Sequence, residues 1–554
     1  MLRHGSSALA ALAALSMALL ATLGSPTLAA AGGFELPGEG GARGLGRGGA
    51  FYARADDPMA LTMNPANLAD LSGFQIYLTG GITTFNGCFQ RTSSPSNTYA
   101  DTDNPLGFAP SIFDSDPSTP PFAQEFIGEG YPVACNESPL GPALGLVASY
   151  RIMPELGIGF GVVAPNGVGS STWVPDTERY TTPGGSAGIL PPPSRYTLLE
   201  QDQLVLLPSV GVAYRPTPWF RFGATFQWGV GVFDFTSMSV ANPGQDPASD
   251  ILSKLHASDA FIPALIISAH FVPMDNLDVM AGFRWSDNVN ASGTTNLTTG
   301  WYGAGDAGAS IPGTTPLVNP TVNDVQVTAG QPWEVRLGLR YAHRITPRPQ
   351  DPEAIERLSG RTEDAMANEW FDIEFDAIYL INAQVTDLSV RLPPGSSAVF
   401  QEVGAGGTLP PPSTLPIPEN IDLPHQWNDQ WLLRLGGDFN AIPGLATLRL
   451  GFSFETSAHE AGGVFSNRDA RQYTGLDFLP GARFGVHGGL TVRMGKFDIS
   501  LAYAHVFQST ITVSNDEAAL RQVSAVDPDT AEITNAGSYT ADYNLFHAGV
   551  NLHL

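Results

Sequence analysis

From Phe371 the chain alternates in strict period two. Phe371, Ile373, Phe375, Ala377 and Tyr379 share one face, while Asp372, Glu374 and Asp376 share the other, as an extended strand requires. The pattern recurs. Trp333, Val335, Leu337, Leu339 and Tyr341 oppose Glu334, Arg336, Gly338 and Arg340. Phe220, Phe222, Phe226 and Trp228 oppose Arg221, Gly223 and Gln227, and the chain closes on Phe546, Ala548, Val550 and Leu552 set against His547, Gly549 and Asn551. A soluble sandwich buries its apolar face and leaves the other polar. Here the apolar faces are crowded with aromatics, and the opposite faces carry glycines and isolated charges. Lipid outside and a polar lumen inside account for both faces at once.

Composition narrows the choice further. Charged residues are 14% of the 554 against 43% hydrophobic, where a soluble chain carries about 25% charged. Beyond the N-terminus no apolar run reaches the roughly 18 residues of a membrane helix. The alternation predicts an all-β, 14-stranded antiparallel transmembrane barrel. Its strands begin near Phe74, Pro142, Leu156, Gln203, Trp219, Ser258, Leu277, Trp333, Glu369, Asp429, Ala446, Arg483, Lys496 and Tyr543. Short turns alternate with long connections at 85–141, 165–202, 234–257, 287–332, 382–428, 457–482 and 509–542, the arrangement of periplasmic turns and extracellular loops. The charged connection 343–368 is the exception, expected on the periplasmic side and helical.

Residues 1–31 read as a secretory signal: Arg3, then an apolar stretch from Ala8 to Leu23, then small residues. Residues 32–72 are glycine-rich and compact, a candidate plug, and 73–554 form the barrel. The formal charge of −26 excludes a nucleic-acid partner, which needs a basic face. The two cysteines, Cys88 and Cys135, can pair in an oxidising compartment and form no zinc site. Gly44, Gly46 and Gly49 match a dinucleotide fingerprint without the preceding strand it needs. Gly184–Gly188 matches a nucleophile-elbow pattern in a proline-rich loop, again without its context. No cofactor, metal or catalytic residue is expected.

Gly44-Leu45-Gly46-Arg47-Gly48-Gly49-Ala50, Ala55-Asp56-Asp57-Pro58 and Asn64-Pro65-Ala66 resemble the N-terminal hatch of FadL/TodX-type outer-membrane transporters. Ala164-Pro165-Asn166-Gly167, Pro208 to Arg215, Asp429-Gln430-Trp431 and Leu501 to His505 extend the resemblance along the mature chain; Leu554 departs from the usual terminal Phe. The resemblance implies a plugged barrel in the bacterial outer membrane that imports long-chain fatty acids or related hydrophobic compounds. Pro165, Asn166 and Gly167 would interrupt pairing at the end of the third strand; by the resemblance they form an inward kink that opens the wall sideways. Asn64, Pro65 and Ala66 would sit against it as a gate. Candidate apolar contacts at the mouth are Phe108, Ile112, Phe113, Phe122, Phe126, Ile127, Ile189 and Leu190. Arg221, Arg284, Arg434 or Arg449 could bind a carboxylate, and Arg336 and Arg340 are expected to pair across strands with the Asp372–Asp376 face. Partners are a hydrophobic small molecule and outer-membrane lipid, and a monomer is expected. A barrel lipid hydrolase and a general aqueous porin are the alternatives.

Overall fold

The computed structural model describes residues 40–92, 133–138, 140–164, 170–173, 194, 196–239, 251–299, 321–348, 364–400, 413–521 and 533–554. Fourteen strands close a ring: β1 Phe74–Arg91, β2 Leu140–Met153, β3 Leu156–Ala164, β4 Glu200–Thr217, β5 Phe220–Ser239, β6 Ile251–Met274 and β7 Leu277–Ser286. The ring continues with β8 Trp333–Arg344, β9 Glu369–Ile381, β10 Gln430–Ile442, β11 Ala446–Glu455, β12 Arg483–Met494, β13 Phe497–Gln508 and β14 Gly537–His553. Each pairs antiparallel with its sequence neighbour, and β14 closes on β1 from Gln75↔His553 to Arg91↔Gly537. Closure leaves no unpaired edge in the bilayer, where an unsatisfied backbone group costs several kcal/mol.

Side-chain alternation sets the surface. Phe222, Phe226, Trp228, Leu337, Leu339, Tyr341, Ile373 and Phe375 are exposed on the outer wall, and their alternates Arg221, Gln227, Arg336, Arg340, Glu374 and Asp376 are buried within. On β5 the outer apolar face runs from Trp219 just before the strand to Trp228. Nine residues at ~3.3 Å each, tilted about 40°, span roughly 23 Å, the height of an outer-membrane apolar band. Short turns close the plug end at Pro154–Glu155, Pro218–Trp219, Asp275–Asn276 and Gly495–Lys496. The described part of the 343–368 connection contains one short helix, Ala365–Asn368.

Two of the connections expected as loops, 287–332 and 382–428, carry strands that extend the wall. Val289–Thr299 pairs with the far half of β6 and with Thr321–Ala329, which pairs with Asp387–Arg391 and through it with Asn420–Pro424. They raise one side of the wall above the membrane, and there the alternation inverts. Val289, Ala291, Val325, Val327 and Leu388 are buried inward, while Asn290, Ser292, Asn323 and Gln326 are exposed outward. The cause is the change of solvent: with water outside, the apolar face gains by turning in. Cys88 and Cys135 form a disulfide between directly opposed positions of β1 and the short strand Ala134–Cys135.

The lumen holds Gly40–Ser72. Helix α1, Gly41–Gly46, and helix α2, Ala60–Met63, are joined by irregular chain, and a 3-10 turn, Pro65–Ala69, follows. Nearly every residue of this segment is buried.

Candidate functional site

The raised wall encloses an apolar cavity of about 1280 Å³ at the mouth. Phe235 of β5, Leu255 of β6, Leu297, Leu388, Val390 and Ile421 of the extension, and Leu476 of the 457–482 connection line it. The inverted alternation produces this lining, since those positions face a cavity instead of lipid. Below it lies a second apolar space of about 470 Å³ among Phe233, Val327, Val385, Trp427 and Phe478. His425 borders both cavities. Its Nε2 lies 2.6 Å from Asp477 Oδ2. Burial alone would raise the Asp477 carboxyl; the His425 ring and the Phe478 N–H outweigh it and hold the group below the usual carboxylate range. Burial pushes His459 down to about 3, with the nearby His425 and Arg471 acting the same way.

Further down, the plug fills the lumen and binds the wall differently on its two sides. Toward β9–β11 the contact is ionic. Arg47, fully buried, reaches Asp372 at 2.8 Å, Asp438 at 2.5 Å and Glu374 at 2.9 Å. Asp376 Oδ2 accepts from the backbone N–H of Phe51 and Tyr52 at 2.9 and 3.0 Å, and Glu374 Oε1 from Ala53 N at 2.7 Å. The wall acids therefore satisfy plug donors that have no helix of their own to bond within. Glycines allow the approach: a Cβ on Gly436 or Gly451 would collide with the Arg47 backbone. Within the plug, burial would raise Asp56, but Arg43 and Arg54 beside it hold its carboxyl well below the usual value. Toward β3 and β4 the contact is largely apolar, with Leu61 and Leu68 packed in one cluster with Val163, Leu207 and Ala213, beside an ion pair from Asp70 to Arg215 of β4 at 3.1 Å.

On that apolar side the described ladder beside β4 runs in two stretches with a gap between them. β3 pairs with β4 from Leu156↔Tyr214 to Val163↔Leu207. Pairing resumes only at Ser170↔Asp202, so Gln203–Leu206 have no neighbour on this side among the described residues. On β2 the ladder to β3 likewise stops at Leu144↔Ala164. A tie closes the gap above: Glu137 N donates to Thr172 O at 2.8 Å, and Thr172 N to Asn136 Oδ1 at 2.9 Å. Against the gap lies a mainly apolar cavity of about 520 Å³, bordered by Ala143, Gly145, Val163, Ala164 and Leu207 of the wall and by Met59 and Thr62 of the plug. β4 orders the three cavities: the mouth at Leu198 just before it, the second space at Gln203, the gap cavity at Leu207.

The whole arrangement matches known structures. A Pseudomonas aeruginosa FadL homologue aligns over 96% of this chain and 100% of its own, with a TM-score of 0.58 at 14% identity. The chain has the FadL/TodX fold. The Pseudomonas putida toluene transporter TodX covers 94% and 98% of the two chains (TM-score 0.55, 12% identity), and the monoaromatic hydrocarbon channel CymD 93% and 97% (TM-score 0.52, 11% identity). No family profile and no curated protein sequence matches.

Within the FadL/TodX fold, the Asn64–Ala66 triplet sits on β5 and β6. Asn64 Nδ2 donates to Tyr52 O at 2.8 Å and lies 3.2 Å from His270 Nδ1, and Ala66 N donates to Ser268 Oγ at 2.9 Å. The plug residues beside the end of β3 are Met59 and Thr62, which no motif singled out. Pro165, Asn166 and Gly167, the loop contacts Phe108, Ile112, Phe113, Phe122, Phe126, Ile127, Ile189 and Leu190, and the signal segment all lie outside the described residues. The four arginines considered for a carboxylate are engaged. Arg221 pairs with Asp70, Arg284 with Glu334 and Arg449 with Asp438, while Arg434 stands over the Tyr52 ring. Arg340 pairs across strands with Asp372 as expected, but Arg336 pairs with Glu334 on its own strand and donates to Thr62 O of the plug. Ser453 Oγ lies 2.9 Å from His487 Nε2 on the lumen face; no carboxylate is hydrogen-bonded to that ring among the described residues.

Proposed function

We propose that this protein takes up hydrophobic small molecules across the bacterial outer membrane, binding them at its apolar mouth and releasing them sideways through the wall. The carrying observation is the apolar cavity at the end of β3, beside the stretch of β4 that has no described partner, with two further apolar spaces between it and the mouth along β4. A greasy solute gains about 0.8 kcal/mol for each methylene it buries, so an apolar route holds it where a water-filled one would not. The axial route is blocked by a plug ionically tied to β9–β11, which speaks against a general aqueous porin.

The plug's asymmetry fits a gate. Its charged side stays anchored while Met59 and Thr62, on the apolar side, border the cavity. The likeness in fold to a toluene transporter and a monoaromatic hydrocarbon channel supports the same reading. In sequence Pro165, Asn166 and Gly167 follow the end of β3, and on this reading they would form the rim of the exit.

Accumulation of radiolabelled oleate and of radiolabelled ethylbenzene by cells with and without this protein tests the proposal. Faster accumulation of at least one solute is expected. Equal rates for both would overturn it.

A further inference from the structure

His425 occupies the neck between the two mouth cavities. Its backbone N–H donates to Thr386 O at 2.7 Å, and its ring packs against Trp427 and Phe478, with centroids 4.8 and 5.9 Å away. Asp477 takes the Nε2 proton at 2.6 Å. Asp477 is itself fixed, since Phe478 N donates to its carboxylate at 3.0 Å and Gln201 Nε2 to its carbonyl at 2.9 Å. A histidine held this way has one tautomer and one orientation, and its Nδ1 is left as an acceptor. Among the described residues nothing hydrogen-bonds to that atom. A mainly apolar lining with a small number of placed polar groups is how a small-molecule pocket fixes orientation, and His425 is the one that borders both spaces with a ring nitrogen to spare, Ser253 and Thr295 of the mouth being bonded to each other at 2.6 Å.

We propose that His425, positioned by Asp477, is a specificity-determining residue that selects uncharged hydrophobic solutes carrying a hydroxyl, such as alkylphenols and long-chain alcohols. The hydroxyl donates to Nδ1 while the hydrocarbon body fills the cavities above and below. A carboxylate ligand fits worse, because it lacks the proton and adds a second negative charge beside Asp477. A plain hydrocarbon fits but leaves Nδ1 unmet. This inference rests on the uptake reading and adds the substrate class.

Titration calorimetry of the purified full chain with propylbenzene, para-propylphenol and para-propylbenzoate tests it. The phenol should bind about 3- to 10-fold tighter than propylbenzene, the worth of one neutral hydrogen bond, and the benzoate weakest of the three. His425→Phe should abolish the phenol preference, so that para-propylphenol binds no tighter than propylbenzene to the variant. His425→Gln, which keeps an acceptor, should retain part of it. Equal affinity for phenol and propylbenzene in the wild type, or a preference that survives His425→Phe, would overturn the selector and leave uptake standing. Binding of none of the three would count against both.

Discussion

Arg47 shows most clearly how single residues hold this molecule together. Its guanidinium is the shared counter-ion of Asp372, Glu374 and Asp438, so plug and wall are complementary at one fully desolvated point. A buried ion cluster is weak evidence for net stability, because desolvation offsets most of the attraction, but removing one partner leaves charge uncompensated. Arg47→Met should therefore weaken plug docking by about 3–5 kcal/mol. The expected readout is a rise in single-channel conductance in a planar bilayer, with the barrel still migrating as the folded, heat-modifiable form. Unchanged conductance would show that the apolar side of the plug suffices. The sequence made Asp372, Glu374 and Asp376 visible as a lumen face. It gave no sign that they serve the plug as well as the neighbouring strand, because a partner more than 300 residues away leaves no local pattern.

At the scale of elements, strand identity was legible wherever lipid and lumen impose opposite demands on alternate residues. Twelve of the fourteen barrel strands begin within three residues of where the alternation places them, while β6 and β14 begin seven and six residues earlier, at Ile251 and Gly537. It failed above the membrane, where Val289–Thr299 and Thr321–Ala329 alternate small β-branched residues with Asn, Ser and Gln. Such a pattern reads as polar loop until a cavity is known to lie beside it. The mouth lining was missed for that reason, and attention went to aromatics in the long connections. Lumen glycines were equally ambiguous, and the structure gives one of them a definite task. At Gly223 of β5 a Cβ would come within 2.5 Å of Pro65 C and 2.6 Å of Ala66 N. Gly223→Val should displace the Pro65–Ala69 turn at a cost of about 1–3 kcal/mol, seen as faster proteolysis of the plug in the folded barrel. Gly488→Ala, whose Cβ would meet nothing closer than 3.9 Å, should leave proteolysis unchanged. Equal rates in the two variants would contradict this packing account.

Across the whole molecule, one period-two pattern does three things as its surroundings change. In the bilayer it turns apolar residues to lipid; above the bilayer it turns them to a cavity; in the lumen it presents charge to a plug. The three cavities lie in that order of environments along β4 and β5. The central claim is that solute leaves through the break between β3 and β4. It is tested most directly by closing the break. Four residues of β4, Gln203–Leu206, lie between the two paired stretches, and six residues of sequence, 164–169, connect those stretches on the other side. Replacing 164–169 by a four-residue alternating strand segment should let the ladder run through. Uptake and mouth binding of the same solute are then measured in this variant, once heat-modifiable folding is confirmed. The account predicts uptake reduced to that of cells lacking the protein, with binding at the mouth retained; uptake at the wild-type rate through a continuous wall would contradict it.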